Sequence, residues 1–275
     1  MANILAILYS SSATMARVAT LLSQPLTSPK PRFRARLGIS VILAFLLQAT
    51  VSIASPLFAA RSEHAFLTNR SRFQIEKTNV LAAWQFGRAC FDWAEFAKTN
   101  KEREAVAQEG IAACSRALVL RPDLAAGHYY LALNLGQLAR TKTLGALKIV
   151  LEMERELRAT IELDAMVDYA GPHRSLGLLY LEAPGWPTSI GSRTKARVHL
   201  EKAVELSSDY PENRLCLLEA CLKWNDKKSI EREGKALKEL LPRARKILAG
   251  DAWQENWVDW DKRWSSVAKD VQTKR

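Results

Sequence analysis

A short motif that recurs at a constant spacing of 43 residues is the strongest constraint on the fold of this chain. Its four copies begin at Ala117, Thr160, Ala203 and, most weakly, Lys246. A fixed period of this length is typical of arrays in which each repeat is one supersecondary unit. The chain from about residue 72 onward is therefore predicted to be a repeat array rather than a domain with one central core.

The residues between the copies have the spacing of α-helices. Apolar side chains recur every three or four positions, as in Leu176, Leu179 and Tyr180, and no stretch alternates in the manner of a strand. Helix-breaking residues, such as Gly171-Pro172, separate these stretches. Each repeat is predicted to be two antiparallel helices that cover their apolar faces by stacking on neighbouring pairs. The expected fold class is all-α, an α-solenoid.

The third repeat resembles the tetratricopeptide repeat family. It has Leu176-Gly177 and Tyr180 in its first helix, and Ala196, Leu200 and Ala203 in its second. Repeats of that family have about 34 residues, so each unit here carries about nine more, a length that HEAT-like repeats also have. The pattern of small residues favours the tetratricopeptide interpretation. The resemblance implies a solenoid of degenerate tetratricopeptide-like helix pairs, about four of them over residues 72–250. Residues 61–71 are expected to be a linker.

Residues 251–275 are predicted to form a separate C-terminal capping helix and tail. Asp251 and Gln254 have the spacing of a helix N-cap and its capping-box partner. Four tryptophans then fall on one helical stripe: Trp253, Trp257, Trp260 and Trp264. The stripe is interpreted as a cap over the open end of the solenoid. The alternative is a docking face for a subunit or for the membrane interface.

The N-terminal 60 residues have the features of an export signal with a long leader. Three arginines precede an uncharged run at residues 37–60, which is the order of a signal peptide. Small residues indicate cleavage near Ala54; the alternative is an uncleaved inner-membrane anchor at residues 37–60. We expect a periplasmic or exported protein that contacts the membrane only if this segment is uncleaved. In that compartment Cys90 and Cys114 either form a disulfide or remain buried thiols.

The charge and the motifs of the chain argue against a nucleic-acid-binding protein and against an enzyme. The formal net charge is +11, but five basic residues and no acid lie in the first 60 residues, and export separates the protein from nucleic acid. No G-x-S-x-G, HExxH, P-loop or GxGxxG sequence occurs. The four histidines are scattered: His64, His128, His173 and His199. We therefore expect no nucleic-acid partner, no catalytic residue, no metal site, no cofactor and no enzymatic activity.

A stripe of uncharged polar residues is the first candidate for a binding groove. At 100° per residue, four of them share one side of the helix that starts near Ala126: Tyr130, Asn134, Gln137 and Thr141. The stripe either lines a ligand groove or is hydrogen-bonded to the inserted segment at residues 144–154. Other candidates flank or face it, and the basic ones suit a carboxylate: Tyr129, Arg140, Lys142, His173 and Arg174.

The second candidate is the long connection within the third repeat. Residues 182–191 contain two prolines, two glycines and a tryptophan, so the loop is rigid in composition and unfavourable to leave exposed. Gly185, Trp186 and Pro187 are therefore predicted to contact a partner. The alternative is that the loop packs on its own neighbouring helices.

Four stretches together look like the TatT family, the T component of TRAP transporters: residues 131–140, 176–181, 183–187 and 195–203. The resemblance implies an exported accessory of a solute transporter. Its partner would be another envelope protein, a solute-binding protein, with self-association into a homo-oligomer and a small amphipathic or anionic ligand. Family members are often lipid-anchored, whereas the first cysteine here lies far beyond the apolar run. The alternatives are a general envelope scaffold that binds peptides in its groove, and a hydrolase.

Overall fold

The computed structural model describes the backbone of residues 40–142 and 146–273 and the side chains of residues 57–142 and 146–271. These residues form helices and no β-strand, apart from an isolated bridge between Gly185 and Gly191. The expected leader and the start of the export signal, residues 1–39, lie outside the described residues. No helix within the described ranges combines the length and the apolar character that a membrane crossing requires.

Ten α-helices follow one another along the described chain. They are α1 (Ser40–Ile75), α2 (Val80–Ala94), α3 (Asn100–Leu120), α4 (Ala125–Ala139), α5 (Ala146–Asp164), α6 (Val167–Glu182), α7 (Arg193–Leu206), α8 (Pro211–Lys223), α9 (Lys227–Ile247) and α10 (Gln254–Thr273). Helices α2 to α9 form four consecutive pairs, and the first helices of successive pairs also contact one another. The predicted all-α solenoid is confirmed.

Polar side chains fix the starts of several helices. Asn79 accepts hydrogen bonds from two backbone N–H groups in the first turn of α2. Thr99, Ser192 and Asp226 cap α3, α7 and α9 in the same way. Each bond satisfies a backbone donor that has no partner within its own helix. Pro211 begins α8 at a position where its missing N–H is not needed.

Small residues allow paired helices to approach closely. Alanines of the second helices are fully buried at these contacts: Ala113, Ala117, Ala196 and Ala203. Between α2 and α3, a Cβ atom added to Gly87 would lie 2.2 Å from the Sγ atom of Cys114. The alanine motif thus recurs in the sequence because pair after pair needs the same close contact.

The four cysteines are buried and unpaired: Cys90, Cys114, Cys216 and Cys221. The sequence leaves open whether Cys90 and Cys114 form a disulfide or remain buried thiols. In the structure they are buried thiols. Burial raises the pKa of each thiol, which keeps the sulfur protonated and unreactive. The cysteines therefore serve as small apolar residues of the core.

Residues 61–71, which we expected to be a linker, belong to α1 instead. A spacing of seven residues places Phe66 and Phe73 on the same side of this helix. Both rings pack against Phe86 of α2, with centroids 5.6 and 5.2 Å away. These aromatic contacts hold α1 against the first helix pair, because large rings gain most from removal from water.

Helix α10 covers the last helix pair, which confirms the predicted C-terminal capping helix. Trp257 and Trp260 are buried in the main core, while the other two tryptophans of the stripe are partly exposed. The indole N–H of Trp257 donates to the carbonyl of Leu248 at 2.6 Å, and that of Trp260 donates to Glu212 at 2.7 Å. The polar ends of both rings are therefore satisfied inside the chain.

Candidate functional site

The first helices of the four pairs, α2, α4, α6 and α8, meet on one side of the molecule, which we call the inner face. A cavity of about 290 Å³ opens on this face, with wall residues from each of the four helices. Ser62 of α1 and the start of α10, with Glu255 and Asn256, complete the walls. Because these residues are far apart in sequence, only the folded solenoid brings them together.

Helix α2 and the residue that caps its end supply three charged residues to the cavity. Arg88, Asp92 and Glu95 are spaced four and three residues apart, which places them on one face of the helix. The Nε atom of Arg88 lies 3.7 Å from Oδ2 of Asp92. Glu95 forms a closer ion pair, at 2.8 Å, with Arg140 at the end of α4. This wall thus has two carboxylates, of which only Glu95 is closely paired.

Two carboxyl groups of the cavity have raised pKa values. Desolvation by the surrounding walls raises the pKa of Asp92 to about 6; Arg88 opposes the rise, and the carboxylates of Asp168 and Glu95 add to it. Desolvation also raises the pKa of Glu255 to about 7, with Asp92 adding to the effect. Desolvation and neighbouring negative charges both make the ionisation of a carboxyl group less favourable.

Helix α4 contributes two adjacent tyrosines. The hydroxyl of Tyr129 donates to Oδ2 of Asp168 at 2.9 Å. The ring of Tyr130 stacks on Trp84 with centroids 5.9 Å apart, and the guanidinium of Arg88 lies 5.8 Å from its centroid. Burial raises the pKa of Tyr130, so its hydroxyl stays neutral. These aromatic rings are held in place by the chain itself.

The start of α6 has an unusual backbone. Asp168, Tyr169 and Ala170 have φ values of 50°, 55° and 62°, so three successive residues lie in the left-handed region that favours glycine. Each such residue costs about 1–2 kcal/mol. The turn directs Asp168 to the cavity, and the regular helix follows from Gly171-Pro172 onward. Strain of this kind persists only where the surrounding structure holds it.

Arg174 of α6 holds the turn against α8. Its buried guanidinium donates to Asp168 at 2.7 Å and to Oδ1 of Asn213 at 2.8 Å. Asn213 in turn donates to the carbonyl of Tyr169 at 2.9 Å, and the ring of Tyr169 stacks on Tyr210 at 4.5 Å. These charge-assisted bonds and ring contacts offset the strain of the turn and fix one wall of the cavity.

Glu212 of α8 lines the cavity and also contacts the capping helix α10. Burial opposes its ionisation, but Arg263 of α10 and Arg174 outweigh burial and lower the pKa of Glu212. Arg263 lies 2.7 Å from Glu212, 2.8 Å from Glu219 and 3.2 Å from Asp259. This one guanidinium therefore pairs with three carboxylates and links α10 to α8. Desolvation nevertheless raises the pKa of Asp259 to about 7.

The structure brings three of the predicted site residues to the cavity: Tyr129, Tyr130 and Arg174. Two others, Asn134 and Gln137, are fully buried and lie in a helix contact rather than in a groove. Asn134 donates to the carbonyls of Gly87 and Tyr130, and Gln137 donates to Glu95. The part of the polar stripe with Asn134 and Gln137 thus faces α2 rather than an open groove or the inserted segment, because α4 is packed between neighbouring pairs.

The basic and polar residues at the end of α4 bind the chain's own groups. Arg140 pairs with Glu95 at 2.8 Å, and Lys142 pairs with Glu104 at 2.5 Å. The hydroxyl of Thr141 donates to the carbonyl of Leu138. The two cations that we expected to meet an anionic ligand are therefore already neutralised by carboxylates, and none of the three residues lines the cavity.

His173 lies away from the cavity, at the contact of α6 with α7. Its Nδ1 atom is 3.0 Å from Nδ1 of His199. Desolvation lowers the pKa of both rings, that of His199 to about 4, and repulsion from His173 adds to the effect on His199. This pair is therefore neutral near pH 7 and joins two helices.

The loop with Gly185, Trp186 and Pro187 closes on itself. The backbone N–H of Gly191 donates to the carbonyl of Pro184 at 2.8 Å, and Gly185 accepts from two following residues. Trp186 projects from this ring with 88% of its surface exposed. The loop thus neither lines the cavity nor buries its tryptophan on the neighbouring helices.

The sequence interpretation missed most of the charged cavity residues: Arg88, Asp92, Glu95, Asp168, Glu212 and Glu255. The spacing of Arg88, Asp92 and Glu95 on one helix face was a readable signal. Asp168, Glu212 and Glu255 give no such signal in the sequence, since each is an isolated acid near a helix start. Among the residues that the structure describes, no group of three or more His, Cys, Asp or Glu is arranged to hold a metal ion.

Comparison with known proteins identifies the fold. The family model "Regulator of microtubule dynamics protein 1-3" matches residues 54–164, from α1 to the end of α5. The chain is also similar to the crystal structure of a thermophilic TPR protein from Thermus thermophilus, with a TM-score of 0.56 and 17% identity over 80% of this chain and 98% of that one. No curated protein matches the chain. The structural similarity shows a tetratricopeptide-like helical repeat fold.

Proposed function

We propose that this protein is a non-enzymatic interaction module that binds a partner protein at its inner face. The observation that carries the proposal is the cavity of about 290 Å³, to which the first helix of every pair contributes. Solenoids present extended surfaces of this kind to their partners. A tetratricopeptide-like fold supports the same conclusion, since binding at such a surface needs no covalent chemistry.

The size of the cavity favours a side chain of a partner over a free small molecule. Cavities for drug-sized ligands have about 300–1,000 Å³, and this one lies at the lower limit of that range. A partner segment that inserts one side chain here would also contact the surrounding inner face. We therefore favour a protein partner over the small amphipathic or anionic ligand that the sequence resemblance implied.

Rigid walls favour recognition at this place. The contacts of Arg174 with Asp168 and Asn213 hold the left-handed turn within the free protein. Pre-ordered side chains lose little conformational entropy when the partner binds, so more of the contact energy appears as affinity.

The finer proposal concerns the partner and the compartment. The apolar run at residues 37–60 and the resemblance to the T component of TRAP transporters support an exported protein whose partner is an envelope solute-binding protein. The first test is fractionation of cells that produce the full chain. A periplasmic or membrane-associated protein is expected, and a purely cytosolic one would contradict the proposal.

The interaction itself is tested by photo-cross-linking from the cavity. A benzoylphenylalanine in place of Asn256, which lines the cavity, should give an adduct with the partner. The same residue in place of Glu239, exposed on the outer helix α9, is the matched control and should give none. Equal adducts from both positions, or none from either, would exclude binding at the inner face. A solute-binding protein in the adduct supports a transport accessory, and a mixture of envelope proteins supports a scaffold.

A second candidate partner follows from the family match and calls for a direct assay. The matched model takes its name from regulators of microtubule dynamics, so microtubules are included as a candidate partner. Co-sedimentation with microtubules that the Asn256 substitution abolishes would place them at the inner face. Absence of co-sedimentation would remove this candidate.

A further inference from the structure

We infer that the cavity of the inner face binds a cationic side chain, a lysine ammonium or an arginine guanidinium, presented by the partner protein. This inference rests on the proposed function and specifies the chemistry of its partner. It follows from the charge of the cavity walls, from the pairing of each wall residue and from the aromatic rings between them.

Acidic residues outnumber basic ones in the cavity walls. Five carboxylates line it, against two guanidinium groups: Asp92, Glu95, Asp168, Glu212 and Glu255, against Arg88 and Arg174. Three of the carboxylates are closely paired by cations of the chain. Arg140 holds Glu95, Arg174 holds Asp168 and Arg263 holds Glu212, each at 2.7–2.8 Å.

The two remaining carboxylates, Asp92 and Glu255, are less closely paired than these three. Asp92 lies 3.7 Å from Arg88, whose guanidinium also faces the ring of Tyr130. Among the residues whose side chains the structure describes, none forms a hydrogen bond or an ion pair with Glu255; Arg61 acts on it only as a nearby charge. An added ammonium or guanidinium group would therefore give both carboxylates a closer counter-charge.

The pKa values of Asp92 and Glu255 also favour the binding of a cation. The pKa of Asp92 is raised to about 6 and that of Glu255 to about 7, and Asp92 contributes to the rise at Glu255. A cation placed between them would reverse this repulsion and release protons. Three other carboxylates add to the negative charge around this pair: Glu95 at the end of α2, Asp168 of α6 and Asp259 of α10. Two cations oppose it: Arg61 of α1 and Arg88 of α2.

Aromatic rings complete the environment for an organic cation. Phe91, Phe96, Tyr130 and Tyr210 line the same cavity. The methylene groups of lysine or arginine pack on such rings while the charged end reaches the carboxylates. An anionic ligand does not suit these walls, since the cations expected to bind it, Arg140 and Lys142, are paired with Glu95 and Glu104.

The test is a titration of the full chain with three acetylated pentapeptides that differ only at the central residue. The central residue is arginine, glutamine or glutamate between flanking glycines and alanines, and binding is followed by NMR at low salt and about pH 8. We expect the arginine peptide to bind at least about tenfold more tightly than the glutamine peptide, and the glutamate peptide to bind most weakly. The arginine affinity should fall as the pH is lowered to about 5.5, because both carboxylates take up protons.

Two variants locate the binding site. Glu255→Gln and Asp92→Asn should each weaken the arginine peptide at least about fivefold, while Glu239→Gln, which changes an exposed acid of α9, should leave the affinity unchanged. Circular dichroism and thermal melting confirm that each variant folds, and Asp92→Asn carries the test alone if Glu255→Gln does not fold.

The outcomes separate this inference from the proposed function. Equal binding of all three peptides, no detectable arginine binding, or arginine binding that neither variant weakens would overturn the cationic cavity. If the cross-link from position 256 nevertheless forms and Glu255→Gln does not reduce it, the proposal of a protein partner is kept and only the binding of a cationic side chain is rejected. Selective arginine binding without any cross-linked protein would instead keep the cavity chemistry and refute the protein partner.

Discussion

Replacement of Arg263 by methionine should destabilise the protein strongly. Its guanidinium is buried and lies within 2.7–3.2 Å of Glu212, Glu219 and Asp259. Loss of one side of a buried ion pair costs about 3–5 kcal/mol, because the carboxylates remain without a counter-charge. Each kcal/mol shifts the melting temperature of a domain of this size by about 2–4 °C, so we expect a decrease of roughly 10 °C.

Thermal melting with circular dichroism at about pH 8 measures this change. The matched control is Lys202→Met, since Lys202 pairs with Glu205 at the same short distance, 2.7 Å, but with both side chains exposed. Such a surface pair contributes at most about 1 kcal/mol. A methionine variant of Arg263 that melts within about 2 °C of the wild type would refute the reasoning.

The double variant Arg263→Met with Glu212→Gln tests the cause of the loss. If uncompensated charge is the cause, neutralising Glu212 should restore part of the stability. The deficit of the single variant should also shrink as the pH falls, because carboxylates without Arg263 take up protons more readily. A deficit that is independent of pH and of Glu212→Gln would indicate lost packing instead.

Three further predictions concern the loop, a helix contact and the cavity. Trp186→Ala should change the free energy of unfolding by less than about 0.5 kcal/mol, because the ring is exposed. Reduced cross-linking from position 256 with an unchanged melting temperature would show that the loop takes part in recognition. A clear fall in melting temperature would show instead that the loop is structural. Gly87→Ala should cost about 1–3 kcal/mol in urea unfolding, since its Cβ would overlap Cys114; an unchanged midpoint would show that α2 and α3 separate easily. Glu255→Gln should be more stable than the wild type by about 1 kcal/mol near pH 8 and equally stable near pH 4. The reason is the raised pKa of Glu255, because of which the wild type loses stability as the pH rises through about 7. A difference in the free energy of unfolding that stays constant between pH 4 and pH 8 would contradict the raised pKa.

The fold was predictable because its signals are local. The recurring alanine positions and the helical spacing of apolar residues indicate which helix faces must stack. In the structure, Ala117, Ala196 and Ala203 are buried at such helix contacts. The capping helix was equally readable from its tryptophan stripe. The expected linker was wrong because its helical character depends on two aromatic contacts with α2, and such contacts are not visible before the fold is known.

The candidate site was less predictable because it is assembled from distant parts of the chain. Asp92, Asp168, Glu212 and Glu255 meet only when four helix pairs and the cap are in place. The polar stripe of α4 misled for a related reason. The helical period shows that Asn134 shares a face with Tyr130, but it does not show that α2 covers the Asn134 end of that face.

The left-handed turn at Asp168, Tyr169 and Ala170 has a consequence for engineering and for evolution. Regular helix geometry there would relieve strain of a few kcal/mol, so stabilising selection or consensus design would favour it. The same change would withdraw Asp168 from Tyr129 and Arg174. Thermal stability and the proposed recognition would therefore compete at this turn. A stabilised variant with regular helix geometry here should be tested for loss of binding.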